Sequence, residues 1–373
     1  MGALASVGNE MRDQLAARLL AKVLGWNDGS AWAETGPRLQ TLAELKYDSY
    51  EGYRPGERFI ESLAGWLWQF EPDDRVVALR FVLDRLIMIS REEMDHLIET
   101  VYPDIIRPDL LKRVAVKLGL PSHLVSSIAK SVEFRDLQRK TLVLGLADGA
   151  RLDRLRRASP ELSHEQFYVH PEVGPDSGKA MQEHLSAAVS AMGLLQPALF
   201  QHVILVDDFA GTGYTLLSKA DDGSWRGKLW KASAWLEGLK DGNIVAADAT
   251  VWVLLYVASE QARITITARL AEAGLPWTLR VAQEIDRSLC ITDKATTDLA
   301  AKYFDPAVAD IHVAKGQLDP HLGFGGLGLP LVLFHNTPNN SVALLWADTS
   351  ELGGGGHLRP LFPRRQRHNP DRP

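Results

Sequence analysis

The sequence carries one cysteine, Cys290, in 373 residues. A lone cysteine excludes an internal disulfide framework and any zinc centre built on thiolates. An excess of positive charge is absent as well: 41 basic residues stand against 47 acidic ones, for a net charge of −6. That balance gives no support to a protein that coats nucleic acid by bulk attraction. Long apolar runs are missing too. The opening stretch MGALASVGNEMRDQLAARLL has no basic segment leading into an uninterrupted apolar one, and no later run reaches the length that crosses a bilayer. A soluble, cytoplasmic protein with no membrane partner is expected. Repeats are lacking, and the one low-complexity piece is Gly353 to Gly356, followed by the tail PRRQRHNPDRP. Its Arg364, Arg365, Arg367 and Arg372 are the only nucleic-acid signal, and they read as a solvated terminus.

What is present is apolar residue in quantity, 46% of the chain, enough for one large core or two modest ones. The first 130 or so residues read as helices. RFIESLAGWLWQF places Phe59, Leu63 and Leu67 on one helical face, and DDRVVALRFVLDRLIMI continues in the same manner behind an aspartate cap. In SREEMDHLIETVY, Ser90 and Glu93 make a capping-box signature and Pro103 reads as the close of the segment. Trp26, Trp32, Trp66 and Trp68 read as packing residues.

From Phe134 the pattern changes to short apolar runs alternating with helical segments. TLVLGL, HVILV, ATVWVLLYVA, WTLRVA and LGLPLVLF read as strands. GKLWKASAWLEGLK and SEQARITITARLAEAG read as the helices between the second, third and fourth. Alternation of this kind implies crossover connections and a mostly parallel sheet covered on both faces. Ligands of such sheets sit outside the carboxyl ends of the strands, where Asp207 and Asp208 fall. Two adjacent carboxylates call for a cation or for hydroxyls. Gly211, Thr212, Gly213 and Thr215 then precede a helix expected to begin near Leu216, whose unpaired amides would attract phosphate.

VILVDDFAGTGYT resembles the phosphoribosyl pyrophosphate loop of the type I phosphoribosyltransferases. The resemblance implies that Asp207 and Asp208 hold the ribose hydroxyls and that Ala210, Gly211, Thr212, Gly213, Tyr214 and Thr215 wrap the 5-phosphate. By position in the family's pattern, Asp148, Gly149, Ala150 and Arg151 would form the pyrophosphate loop, with Arg151 or Arg154 meeting phosphate oxygens. NTPNNSVALLW offers Asn336, Asn339 and Asn340 as base-side candidates, with Trp346 beneath them. Together with RPLF these stretches resemble a phosphoribosyltransferase-like family of bacterial conflict and anti-phage systems.

The implied architecture is α/β: a parallel sheet flanked by helices over residues 133–352, an all-helical domain over 1–132, and a Gly-rich, basic tail over 353–373. The implied ligand is phosphoribosyl pyrophosphate or a nucleotide, with Mg2+ carried through the ligand at Asp207 and Asp208, and a protein partner in a defence operon. Purine-salvage members of the fold carry an acidic residue where this chain has Gly211, so the acceptor is left open, as is a reading as an inactive nucleotide sensor. The closing hood would be HEQFYVHPEVGPDSGK, with Lys179 as its cation, or the N-terminal helices.

Overall fold

A computed structural model describes residues 2–27, 29–169, 175–305, 319–348 and 358–364. The chain forms two compact units, one of Met94–Arg287 and one discontinuous, Met1–Glu93 with Ser288–Pro373. These bounds differ from the division at 132/133 and 352/353 that the helix-to-strand change suggested. The helical segments between Met94 and residue 132 group with the strands, while Ser288–Pro373 groups with the N-terminal helices.

Strands are numbered along the chain: β1 Ile87–Ile89, β2 Thr141–Gly145, β3 Phe167–Tyr168, β4 Phe200–Ala210, β5 Ser218–Lys219, β6 Trp225–Arg226, β7 Val245–Ser259, β8 Thr278–Ile285 and β9 Leu331–Leu333. The unit Met94–Arg287 is built on a five-stranded sheet of order β3-β2-β4-β7-β8, parallel at every pairing. Four of the five expected strands are therefore in place. Every residue of β2 is buried, as are the last nine of β7, which is why both read as unbroken apolar runs. One face of the sheet, with Leu142, Leu144, Val203, Leu205, Val253 and Leu255, packs against the helices Pro175–Ala191, Lys228–Asp241 and Glu260–Glu272. The stripe Leu229, Ala232, Leu236 and Leu239 is the buried side of its helix, as the spacing predicts. Helix Arg107–Leu118 meets the opposite face, where the Arg113 guanidinium stacks 5.3 Å from the Trp252 ring centroid.

Strand order matters for the site. Numbered by order within the sheet, the strands run 2-1-3-4-5, and the direction of winding reverses between β2 and β4. A ligand crevice opens at such a switch point, because the two connections leave the carboxyl edge in opposite directions. Leu146, just past β2, donates its amide to Val206 of β4 at 2.8 Å, so the two strands reach that edge side by side.

The other unit contains the helices Gly2–Val23, Ser30–Leu45, Phe59–Trp68, Pro72–Asp84 and Lys294–Tyr303. Phe59, Leu63 and Leu67 are fully buried, and the Trp66 indole donates to the Leu344 carbonyl at 3.0 Å. Trp68 departs from the packing expectation: it is 63% exposed, with the Arg75 guanidinium over its ring.

Three sequence expectations need correction. Ile87–Ile89 do not extend the preceding helix: they form β1, which pairs in parallel with β9. LPLVLF is consequently not a strand of the five-stranded sheet, since its backbone groups are taken by β1, with Ile87 N donating to Pro330 O and Phe334 N to Ile89 O. Pro103 does not end a helix either; it lies inside the π-helical turn Val101–Ile106, which runs straight into Arg107–Leu118. A wide turn absorbs the missing amide that would break a regular helix. The capping box stands, with Ser90 N donating to Glu93 Oε2 at 2.9 Å and Glu93 N to Ser90 Oγ at 3.2 Å. Residues 170–174 of the hood segment, Gly353–Gly356, and Arg365, Arg367 and Arg372 of the tail lie outside the described residues.

Candidate functional site

Asp207 and Asp208 close the buried run of β4, and the two side chains have different surroundings. Asp207 is 1% exposed. Its Oδ1 accepts from the Asp208 amide at 3.2 Å and its Oδ2 from Lys228 Nζ at 2.5 Å. Burial pushes its carboxyl up to about 6, the charge on Asp208 adds to this, and the Lys228 ammonium opposes it. Asp208 is half-buried and uses Oδ1 to accept from Phe209 N at 2.8 Å.

The loop after β2 comes to the same place. A side chain built on Gly149 would start 2.7 Å from Asp208 Oδ2, so the glycine lets that carboxylate lie against the loop, and a larger residue would push it aside. Asp148–Ala150 form a single 3-10 turn, and Arg151 follows in the left-handed region at φ 46° as the cap of helix Leu152–Ala158. A non-glycine residue there costs energy that surrounding contacts must offset. Tyr256 of β7 supplies one such contact, donating its buried hydroxyl to Ala150 O at 2.7 Å. Two loops far apart in sequence, Asp148–Arg151 and Asp207–Thr215, thus share one edge. Arg154 does not join them through its guanidinium, which pairs with Asp95 and Glu99.

The glycine-threonine stretch departs from expectation in an informative way. No helix begins at Leu216. Leu216 N and Leu217 N both turn back to Gly213 O, at 3.1 and 3.0 Å, and the chain then makes the hairpin β5–β6 before the helix opens at Lys228. The turn residues Asp222, Gly223 and Ser224 drive this excursion: Asp222 Oδ1 accepts from Ser224 N at 2.9 Å and Gly223 sits at φ 81°. The displaced helix is tied back to the loop, with Lys228 N donating to Thr215 O at 3.2 Å and Leu229 N to Leu216 O at 2.9 Å. Those first amides are therefore spent within the protein.

Free donors come from the loop itself. Among the described residues no acceptor faces the backbone amides of Gly211, Thr212, Gly213 or Thr215, although Gly211, Thr212 and Gly213 are buried. Buried amides in folded proteins nearly always have partners, so this run of open ones is a candidate anion site. The loop is held from behind. Ser259 Oγ donates to Gly211 O while accepting from Ala262 N at 3.0 Å, and Arg269 donates to Leu217 O at 2.7 Å with its guanidinium 4.1 Å from the Tyr214 ring.

A family model described as PRTase-CE matches residues 63–364, most of the chain. The protein belongs to this phosphoribosyltransferase-like family. No curated protein and no solved structure is significantly similar to it. The PRTase-CE match covers both loops at the sheet edge, β9 and the asparagine-rich segment after it.

Lys228, Tyr256, Ser259 and Arg269 were missing from the sequence reading. Ser259 had a legible signal, a serine directly before a helical run. Lys228 had none, because its role depends on a hairpin that moves the helix start. The base-side candidates lie in the other compact unit. Asn340 donates its amide nitrogen to Phe324 O at 3.0 Å, Asn336 N bonds Leu333 O at 2.9 Å, and Asn339 O accepts from Phe324 N at 2.7 Å. Trp346 is buried there, donating to Ser341 O at 2.8 Å. β9, which precedes these asparagines, is not a strand of the five-stranded sheet.

Among the described residues no group of three or more His, Cys, Asp or Glu side chains could hold a metal ion.

Proposed function

We infer that the edge formed by Asp148–Arg151 and Asp207–Thr215 binds a ribose 5-phosphate ligand, phosphoribosyl pyrophosphate or a related nucleotide. The observation that carries this reading is the row of open amides at Gly211, Thr212, Gly213 and Thr215 beside a carboxylate pair. Amides in such a row take the phosphate, and a carboxylate accepts from the sugar hydroxyls. Asp208 is the carboxylate suited to the sugar, as it is half-buried while Asp207 is closed off. If the ligand is turned over, positive charge develops on the ribose as pyrophosphate leaves, and the carboxylate pair supplies the negative potential that favours it.

Asp208→Asn is expected to weaken ribose 5-phosphate binding roughly tenfold or more, the worth of one charge-assisted bond, with little change in thermal stability. Calorimetric affinity equal to wild type would leave the carboxylate a purely structural role.

A second reading, a nucleotide sensor without turnover, is favoured by Gly211. No carboxylate stands in the loop where salvage-type chemistry on a base uses one, and the Gly211 carbonyl is occupied by Ser259. In cells the first reading makes the protein a cytoplasmic effector of a bacterial conflict system held by a protein partner. A metabolite profile comparing wild type with an Asp207→Asn/Asp208→Asn double variant tests this. A nucleotide pool depleted by wild type alone supports an effector enzyme, and identical profiles support the sensor.

A further inference from the structure

The phosphate loop of this protein lacks the feature that its sequence promised, a helix pointing free amides at the ligand. The hairpin β5–β6 postpones the helix, and the first two amides of that helix are taken by Thr215 O and Leu216 O. What the displaced helix delivers instead is its first side chain. Lys228 is fixed at both ends, its backbone on the loop carbonyl of Thr215 and its ammonium on Asp207 Oδ2. The side chain therefore runs from the phosphate loop to the carboxylate pair, along the edge where a ribose phosphate would lie.

The burial of the two partners shows which of them meets ligand. Asp207 is 1% exposed and has both oxygens engaged, whereas the Lys228 side chain keeps 28% of its surface open. Gly227, the residue before it, has φ 112°, and any side chain on it would start 2.5 Å from Leu216 O. The chain is thus pressed against the loop at the point where the lysine begins. A lysine held this way has lost its rotamer freedom before ligand arrives, which lowers the cost of using its charge.

We propose that Lys228 is a built-in cation for the ligand's ribose-phosphate half, oriented by Asp207, so that this half is recognised without a divalent metal. The proposal rests on the ribose 5-phosphate reading. It assigns Asp207 to positioning and leaves the sugar hydroxyls to Asp208.

The test is calorimetric titration of ribose 5-phosphate, in chelator and in magnesium, into wild type, Lys228→Met, Lys228→Arg and Asp207→Asn, each at several salt concentrations. Wild type is expected to bind equally well in both media. Lys228→Met should lose about tenfold or more in affinity and part of the salt dependence, the signature of a missing cation contact. Lys228→Arg should recover most of both, which also controls for misfolding of the methionine variant. Asp207→Asn should fall between them. Lys228→Met binding as tightly as wild type, or more tightly, would overturn the proposal and make the lysine a mere counter-ion that ligand displaces. A magnesium requirement in wild type would overturn the metal-free part. Wild type that binds no ribose 5-phosphate in either medium would remove the site reading itself, and the lysine's role with it.

Discussion

Gly213→Val is expected to destabilise the fold by about 4 kcal/mol, the sum of backbone strain and overpacking. Gly213 sits at φ 77°, where a β-branched residue is strained whatever the space around it. A side chain there would also start 2.6 Å from Ile266 Cγ1, a fully buried atom of helix Glu260–Glu272. Gly223→Val separates the two causes, since Gly223 has φ 81° and nothing within 4 Å of its would-be side chain. That control should cost only the strain, about 1–2 kcal/mol. Denaturant unfolding of both variants decides it: equal losses would mean that the Ile266 contact contributes nothing. The resemblance makes Gly213 one of the residues that wrap the 5-phosphate. The structure makes it a keystone of the loop's rear packing, and lost binding in this variant would report lost folding.

The second large effect is on acid stability and comes from His202, far along β4 from the carboxylates. His202 is fully buried, with Nδ1 2.9 Å from Thr250 Oγ1 and Nε2 without a partner. Burial, helped by the nearby Arg113 charge, lowers its pKa from 6.5 to about 3. Above pH 6.5 the ring is neutral in both folded and unfolded chains and contributes no slope. Between 6.5 and about 3 the unfolded chain binds a proton that the folded one refuses, so stability falls by roughly 1.4 kcal/mol per pH unit. Asp207 works in the opposite sense: its raised pKa lets the fold keep a proton between 3.8 and about 6 that the unfolded chain has released. The two slopes offset each other in wild type. The difference between wild type and His202→Gln isolates the histidine, and it should shift by about 2 kcal/mol in favour of the variant between pH 6.5 and 4.5. A difference that stays constant over that range would show that the ring is protonated in the fold.

The elements legible in the sequence were those whose burial is local. β2, β4 and the second half of β7 announce themselves as apolar runs because neighbours cover both faces, whereas β8 is a half-exposed edge strand that WTLRVA gave away by its β-favouring residues. The carboxylate pair and the Asp148 loop were legible for a related reason: both follow such runs directly, and a parallel sheet brings its strand ends to one edge. What could not be read was pairing. LPLVLF has the composition of a central strand, and only the partner chosen by its backbone, β1, removes it from the sheet. IMI has the spacing of a helix end for the same reason, since three apolar residues suit either state. Lys228 shows the limit most clearly. Its distance from Asp207 in sequence reflects a hairpin whose turn chemistry was visible at Asp222 and Gly223, but whose effect on the helix start was not.

The hairpin β5–β6 is closed at its base by backbone bonds from Lys228 to Thr215 and from Leu229 to Leu216, and tied to helix Glu260–Glu272 by Arg269 on Leu217 O and Lys219 on Glu272. The turn between Lys219 and Trp225 is the part of it free to change length, because loop-closure entropy rises only slowly with added residues. Here, beside the proposed ligand edge, the fold can take on a longer arm, a fused reporter or a recognition element without resetting Lys228 or the open amides. Chain variation at this point would change what the protein meets, and leave unchanged what it holds.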